Sequence, residues 1–298
     1  MELSQFKDFL IGIDCSDLTI SAYSNDLAIF SDWYRQTNGV DLQPSNLTSS
    51  DVRDYKQFLL VQKHSSPATI NRKLASIRMY AKWAVESKLI PFNPVSGVKN
   101  VDEQQLSPKW LTRLEQASLL REAEKQILSS HTPRRLIESR RNHSIIELLL
   151  NTGIRLNELC SLEIQDVQLS ERKGHLTVRN GKGMKMRVVP LNHSARKAIQ
   201  DWLTIRAQNP SQKLFVGMKG ELKPRAVQEI VQGLGEKAHI KVTPHSLRHS
   251  FAKNLIDTNR VSLDKVGMLC GHKSLNTTKN YCIPSLGNLQ QSVDFLDD

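Results

Sequence analysis

The sequence predicts a mainly α-helical protein in two parts, the second of which contains a small antiparallel sheet. Apolar residues recur at helical spacing through most of the chain. A stretch without sustained periodicity, residues 95–108, separates the two parts, and the period shortens to two only between residues 175 and 190. At 298 residues the chain exceeds the usual size of one domain, so each part can bury its own core.

The first part is predicted to contain three amphipathic helices. One starts after Ser16, and another runs from about residue 50 to residue 60. The third has the clearest start, because Ser66 suits an N-cap and Pro67 suits the first helical position. Pro91-Phe-Asn-Pro94 ends this part of the chain.

Basic side chains lie largely off the predicted buried stripe of the third helix. They are Arg72, Lys73, Arg78 and Lys82. Most charge-rich helix faces are simply solvated, but 41 Lys and Arg against 30 Asp and Glu give a formal charge of +11 and favour a polyanionic partner. A solvated face and a set of phosphate contacts therefore both remain open.

The second part begins with predicted helices at about Thr112–Ser129 and Arg140–Asn151, and residues 159–167 continue as helix and turn. The arginine-rich segment Ser129–Arg141 has no assigned role. Strands at His175–Arg179 and Met186–Pro190 then flank Asn180-Gly-Lys-Gly183, which predicts a hairpin because Asn and Gly accept positive φ.

The last part of the chain carries polar residues in a helix-forming context. Thr243-Pro244 predicts a helix start that places His245 and Arg248 on one face of the first turn. A short helix capped by Ser262 should end at Gly271, immediately before His272. A further helix from about residue 276 carries Tyr281.

These side chains suit an attack on a phosphodiester. A guanidinium fork matches two phosphate oxygens, imidazoles move protons near neutral pH, and a phenol can hold the phosphoryl group covalently. Arg155, with Glu158 one turn away, supplies a second fork, and Lys182 at the hairpin tip can protonate a leaving oxygen. In isolation, Arg155–Glu158 is more often an ordinary helix ion pair, and a turn lysine is usually solvated. The combination indicates DNA strand cleavage and rejoining.

The chain resembles the tyrosine recombinases of the phage-integrase family, especially the Xer-like and transposon-borne members. The resemblance rests on Thr152-Gly-Ile-Arg155, on the hairpin motif around Lys182, on Pro244-His-Ser-Leu-Arg-His249 and on Gly271-His272 with Tyr281 nine residues later. It implies that the catalytic residues are Arg155, Lys182, His245, Arg248, His272 and the nucleophile Tyr281, supported by Glu158. Lys185 is a less suitable substitute for Lys182. Departures from the family pattern are Cys270 and Lys253, where leucine and threonine are usual.

The resemblance also implies an architecture. A helical, SAM-like core-binding domain (1–98), a linker (99–111) and an α+β catalytic domain (112–285) would form a clamp around DNA. The expected substrate is double-stranded DNA with an inverted-repeat core site. A C-terminal tail helix (286–298) would exchange between protomers of a tetramer on two such sites, and accessory proteins can assist.

Composition bounds the remaining alternatives. Four cysteines without a Cys-x-x-Cys pair predict neither a metal site nor a disulfide framework, and no stretch approaches about 18 apolar residues, so we expect no membrane partner. The phosphotyrosyl route that the resemblance implies keeps the bond energy, so we expect no cofactor and no need for ATP. The N-terminus lacks the features of a signal peptide, so the expected location is the cytoplasm. Two rival functions are a type IB topoisomerase-like relaxing enzyme and a DNA-binding protein that has lost cleavage.

Overall fold

The protein folds into two compact units, Met1–Gln105 and Leu106–Asp298. The computed structural model describes residues 3–102, 109–179, 186–206, 210–218, 220–272, 278–279 and 293–294. The predicted fold class is confirmed, because both units are mainly helical and the second contains small antiparallel sheets. No helix in these described ranges is long and apolar enough to cross a membrane.

The first unit consists of four described helices. They are α1 (Leu3–Gly12), α2 (Asp17–Asn38), α3 (Ser49–Val61) and α4 (Pro67–Glu86). The predicted starts are confirmed, since Ser16 and Ser66 each accept a hydrogen bond from the backbone N–H of the third residue of the helix. Helix α1 was not predicted; it is only 10 residues long, but it places Phe6 and Leu10 in the core of the unit.

One basic residue of α4, Lys73, is buried, although the sequence analysis placed it largely off the buried stripe of the helix. Its Nζ lies 3.3 Å from Oδ1 of Asp26 on α2. Asp26 is fully buried and also pairs with Arg72. Helical periodicity places a residue on a face of its helix, but only the packing of α2 against α4 decides how far around that face the core extends.

The second unit contains the remaining described helices. They are α5 (Arg113–Leu128), α6 (Pro133–Thr152), α7 (Leu156–Ser161), α8 (His193–Arg206), α9 (Pro224–Lys237), α10 (Pro244–Asp257) and α11 (Leu263–Cys270). Helices α8 and α9 were not predicted. The prediction that α6 begins near Arg140 was wrong, because Thr132 caps the helix and Pro133 occupies its first turn.

Most of the arginine-rich segment therefore belongs to α6 and its cap, and its last two arginines are used in packing. Arg140 pairs with Asp201 on α8 at 3.1 Å. Arg141 is buried and donates to the carbonyl of Val216. Since α6 also packs against α5, α8 and α10, this helix organises the unit.

The main sheet is three-stranded and antiparallel, in the order β1 (Val167–Leu169), β2 (Gly174–Arg179), β3 (Met186–Pro190). The predicted pairing of the last two strands is confirmed, with Arg179 opposite Met186 and His175 opposite Pro190. The predicted turn at 180–183 lies outside the described residues. A second, two-stranded sheet consists of β4 (Val216–Gly217) and β5 (Gly220–Glu221).

The chain segment that enters the second unit is attached to α10. The backbone N–H of Leu111 donates to Oγ of Ser250 at 2.8 Å. The ammonium of Lys253 lies 5.3 Å from the centre of the Trp110 ring and 2.7 Å from Asp257. The lysine that departs from the family pattern thus has a packing role in this chain.

Candidate active site

The site is assembled around the turn that follows α6. Gly153 ends the helix in the left-handed conformation, with φ +60°. A Cβ atom at this position would lie 2.3 Å from Cδ1 of Phe251 on α10, so glycine alone permits the close approach of α10. Two residues further on, Arg155 is the N-cap of α7.

Arg155 and Glu158 form a closed local arrangement. The Glu158 carboxylate accepts from the backbone N–H of Arg155 at 2.7 Å and from Nη1 of its side chain at 3.0 Å. Nη2 of Arg155 donates to the carbonyl of Gly271, 116 positions along the chain. The Arg155 side chain remains 43% exposed, so its guanidinium is held in place and still accessible to a substrate.

Arg248 and His245 lie in the first turns of α10, which Thr243 caps by accepting from the Ser246 N–H at 3.1 Å. Arg248 is 4% exposed, and its Nη1 donates to the carbonyl of Gly153. Desolvation by surrounding atoms, followed by the charge of Arg248, lowers the pKa of His245 below its usual range. Both effects favour the neutral form of its imidazole.

His272 follows the left-handed Gly271 that ends α11. Its Nδ1 lies 2.8 Å from Oγ1 of Thr278, three positions before Tyr281 in the sequence. Desolvation by burial lowers its pKa most, and neighbouring groups contribute to bring it to about 4. Those groups are, from the largest contribution to the smallest, Arg248, Arg155, Arg187 and His245. Residues at the start of α7, on β3 and on α10 thus act on the imidazole that follows α11.

Two residues of this cluster were missed by the sequence analysis. Arg187 on β3 donates from Nη1 and Nη2 to the two Glu158 oxygens, each at 2.7 Å. His249 has its ring centre 3.9 Å from that of His245, and desolvation followed by the neighbouring His245 lowers its pKa to about 4. The four-residue spacing of the two histidines could have indicated a shared helix face, whereas no local pattern links Arg187 to a glutamate 29 positions away.

Glu158 is the negative centre of the cluster. Burial would raise the pKa of its carboxyl group, but hydrogen bonds and charges from Arg187 and Arg155 outweigh that effect and hold the pKa at about 2. The carboxylate is therefore ionised throughout the physiological range. Because it faces two guanidiniums, the group of three carries a net positive charge.

The structure brings together Arg155, Glu158, His245, Arg248 and His272, as the sequence analysis expected of a single site. Two further predicted residues, Lys182 and Tyr281, lie outside the described residues, as does Lys185. Their proposed roles rest on the sequence and on the resemblance.

The predicted DNA-binding residues of α4 differ in their surroundings. Arg72 pairs with Asp26 but keeps 47% of its side chain exposed. Arg78 donates to the carbonyl of Val98 at 2.7 Å, and Lys82 lies 3.6 Å from Glu86 on the helix surface. Lys73, with its ammonium buried against Asp26, is the member of the set least accessible to a ligand.

The chemistry of the cluster is that of an anion site. Guanidiniums bind two oxygens of one phosphate, and each neutral imidazole has one nitrogen that donates a hydrogen bond and one that accepts. In the described part of the chain, no group of three or more His, Cys, Asp or Glu side chains could hold a metal ion. A helical unit followed by an α+β unit that carries this cluster is the architecture expected of the class of tyrosine recombinases.

Comparisons with known proteins agree with that class. Residues 109–285 match the phage integrase family, and residues 3–90 match the N-terminal SAM-like domain of phage integrases. The tyrosine recombinase XerC of Anoxybacillus flavithermus is 30% identical over 94% of this chain and 91% of its own length. The tyrosine recombinase XerA of Pyrococcus furiosus is 34% identical over 83% of this chain and 81% of its own length. The chain therefore belongs to the phage integrase family of tyrosine recombinases.

A solved structure shows the same fold. The XerH site-specific recombinase, bound to a palindromic difH substrate in a post-cleavage complex, aligns with a TM-score of 0.77 at 22% sequence identity. The alignment covers 94% of this chain and 80% of that protein.

Proposed function

We propose that this recombinase cleaves and rejoins DNA at specific sites through a covalent 3'-phosphotyrosyl intermediate. The observation that carries the proposal is the convergence of Arg155, Arg248 and His245 on the imidazole of His272. Two guanidiniums and one imidazole, from the start of α7 and from α10, meet beside His272, an arrangement that suits the binding of a phosphate. Such an arrangement has little use in a protein that only binds DNA, because phosphate contacts need no neutral imidazoles.

In the cleavage step, Oη of Tyr281 attacks the scissile phosphorus. The bond from phosphorus to the 5'-oxygen breaks, and the phenolic proton passes to His245 or is oriented by it. Lys182 donates a proton to the leaving 5'-oxygen. A free phenol with a pKa near 10 is only about one part in a thousand ionised at pH 7, so the site must activate it. In the second step, a 5'-hydroxyl of a partner strand attacks the phosphotyrosyl bond and releases Tyr281.

The arginines take the role of charge stabilisation. Arg155 and Arg248, assisted by His272, would bind the non-bridging oxygens as negative charge builds up in the transition state. Since two fixed guanidiniums neutralise this charge, we propose that the reaction needs no divalent metal. Because the phosphotyrosyl bond conserves the energy of the phosphodiester, it also needs no ATP.

DNA outside the scissile phosphate would be held by both parts of the chain. We propose that the core-binding domain (1–98) and the catalytic domain (112–285), joined by the linker (99–111), close around the duplex as a clamp. Arg72, Arg78 and Lys82 are the proposed phosphate contacts of α4. The burial of Lys73 against Asp26 supports a structural role for this lysine instead.

Assembly on DNA is the next part of the proposal. The tail 286–298 would dock into a neighbouring protomer and produce a tetramer on two inverted-repeat sites, with or without accessory proteins. Deletion of the residues after 284 should abolish cooperative synapsis, measured by gel mobility of two-site complexes, while single-site binding survives. Unchanged synapsis would eliminate tail exchange. The proposed setting is the cytoplasm of a bacterium, where such DNA sites lie.

The direct test is covalent trapping. Wild type and Tyr281→Phe are incubated with genomic DNA of the host, denatured, and the DNA attached to the protein is sequenced. We expect adducts at one recurring inverted repeat with wild type and none with the variant. Adducts retained by Tyr281→Phe would exclude Tyr281 as the nucleophile, and their absence from both proteins would favour a binding role.

The topoisomerase-like alternative is not favoured by the comparisons, since the curated relatives reported above are recombinases. It makes a different prediction that the same proteins can test. A relaxing enzyme changes the linking number of a plasmid with one site, whereas a recombinase requires two sites and exchanges the flanking DNA. Recombinant product from two-site plasmids, without relaxation of one-site plasmids, is the expected result.

A further inference from the structure

Arg187 is held at every nitrogen of its guanidinium. Nη1 and Nη2 each donate to a Glu158 oxygen at 2.7 Å, and Nε donates to the carbonyl of Leu269 at 3.2 Å. Its side chain is only 14% exposed. This bidentate geometry is the strongest form of an arginine–carboxylate pair, and it leaves Arg187 poorly placed to bind a substrate itself.

The contacts of Arg187 extend to the turn before His272. Gly271 ends α11 with φ +65°, and a Cβ atom there would lie 2.9 Å from Cζ of Arg187. The same glycine offers its carbonyl to Nη2 of Arg155. Arg187 therefore packs against the turn whose carbonyl binds one catalytic arginine and whose next residue is His272.

We infer that Arg187 is a positioning residue for the proposed cleavage reaction: it fixes the Glu158 carboxylate and the turn 269–272, and through them orients Arg155 and His272 toward the scissile phosphate. The inference rests on the proposed function. No local spacing rule links Arg187 to its partners, because they lie in α7 and α11 rather than in its own strand.

A charge argument supports the same role. Glu158 carries one negative charge and faces two guanidiniums, so the trio keeps one positive charge for a phosphate. Without Arg187, the carboxylate would pair with Arg155 alone and neutralise it. The Arg155 guanidinium would then be drawn toward Glu158 at the moment when the transition state needs its charge.

Arg187 also connects the hairpin to the site. It is the second residue of β3 and lies opposite Val178 on β2. Lys182, the proposed general acid, is five positions earlier in the sequence. The Arg187–Glu158 pair thus connects β3, which follows Lys182 in the sequence, to α7, whose N-cap is Arg155.

The experiment compares Arg187→Gln and Arg187→Lys with wild type. Arg206→Gln is the matched control, because Arg206 is also buried and bound to backbone carbonyls, but in the loop 211–214. The probe is a nicked duplex carrying the site recovered by covalent trapping. Its scissile linkage is either a normal phosphodiester or a methylphosphonate, which lacks one negative charge. Single-turnover cleavage and Kd are measured for each protein.

We expect Arg187→Gln to slow cleavage of the phosphodiester about 10²-fold, the typical loss of one preorganised donor, with Kd changed less than about 3-fold. On the methylphosphonate the loss should shrink to less than about 10-fold, because less charge has to be stabilised. Arg187→Lys should not restore the rate, since an ammonium cannot form the bidentate pair. Arg206→Gln should cleave both substrates at nearly the wild-type rate.

Equal losses on the two substrates, or a loss confined to Kd, would overturn the positioning role. So would full rescue by Arg187→Lys, which keeps the buried charge and guards against a glutamine variant that fails to fold. A second measurement needs no DNA: NMR titration of His272 in the free protein. Arg187→Gln should raise the pKa of His272 from about 4 because it removes one of the charges that lower it. An unchanged value would overturn the inference, whereas a shifted value with no adduct from wild type would reject only the proposed function.

Discussion

Both units of the molecule contain a buried carboxylate that pairs with two cationic side chains, but the two clusters connect different things. In the first unit, Asp26 on α2 pairs with Arg72 and Lys73, which are neighbours on α4. In the second, Glu158 pairs with Arg155 on its own helix and with Arg187 on β3. In each cluster one cationic partner keeps at most 14% of its side chain exposed, and one arginine remains about half exposed.

The difference shows how one device can serve two purposes. The Asp26 cluster joins two helices of one core and leaves a single arginine available at the surface. The Glu158 cluster joins a helix, a strand and, through Arg187 and Arg155, the turn that precedes His272. A buried ion pair by itself contributes little net stability, because desolvation offsets the attraction of the two charges. Its role therefore depends on which groups it positions.

The largest expected effect separates the two exposed arginines. Arg155→Ala should slow cleavage by roughly 10²- to 10³-fold at saturating DNA, because the transition state loses a fixed donor. Arg72→Ala, 47% exposed against 43% for Arg155, is the matched variant. It should weaken DNA binding and leave single-turnover cleavage unchanged. A rate loss of similar size in Arg72→Ala would remove the distinction between the clusters.

The second effect concerns stability of the first unit. Asp26→Ala should lower the free energy of unfolding by roughly 3–5 kcal/mol, because it leaves the buried ammonium of Lys73 without its carboxylate. Asp32→Ala, which removes an exposed pair with Arg35 on the same helix, should cost less than about 1 kcal/mol. Urea unfolding, monitored by hydrogen exchange in peptides from residues 17–86, measures the stability cost of both variants. Equal costs would mean that Asp26 is solvated in solution.

The third effect is the pH dependence of stability that Glu158 should contribute. Its pKa is lowered from 4.5 to about 2 in the folded protein, so its contribution is complete above pH 4.5 and is lost as the pH falls toward 2. Wild type should exceed Glu158→Gln in unfolding free energy by roughly 3 kcal/mol at pH 7, at about 1.36 kcal/mol per pKa unit. Denaturant unfolding at several pH values should show this gap closing below pH 4.5. A constant gap would contradict the lowered pKa.

A smaller effect compares two glycines that end helices in the left-handed conformation. Gly39→Ala, with φ +71° and open space around it, should cost about 1–2 kcal/mol of stability and no activity. Gly271→Ala, with φ +65°, should carry the same backbone cost and in addition displace Arg187, so cleavage should also slow. Thermal unfolding and single-turnover cleavage test the pair. Normal cleavage by Gly271→Ala would show that this turn tolerates displacement.

The smallest effect distinguishes the lysines of α4. Lys82 forms only an exposed pair with Glu86, so Lys82→Gln should change stability by less than about 0.5 kcal/mol. It should reduce the slope of log affinity against log salt by about 1, as expected for one lost phosphate contact. Lys73→Gln should leave that slope unchanged, because its ammonium is already paired with Asp26. A reduced slope for Lys73→Gln would return it to the set of DNA contacts.

Local signals in the sequence determined the starts and ends of several elements. Ser66-Pro67 and Thr243-Pro244 specify helix starts because capping needs only a side chain and its own next turn. The alternation on both sides of residues 180–185 determined the β2–β3 pairing. The order and spacing of the motifs also pointed to three of the groups that act on His272, namely Arg155, His245 and Arg248, since each lies within a short motif.

The tertiary structure alone decided which groups act on one another across the chain. The burial of Lys73 depends on how α2 packs on α4, and the pairing of Arg187 with Glu158 depends on where β3 lies beside α7. The two residues of each pair are far apart in the sequence, so no periodicity or capping rule predicts that they meet. The physical reason is that the pairing and ionisation of a charged side chain depend on the groups around it in space. Local sequence determines those groups only where they are also neighbours along the chain.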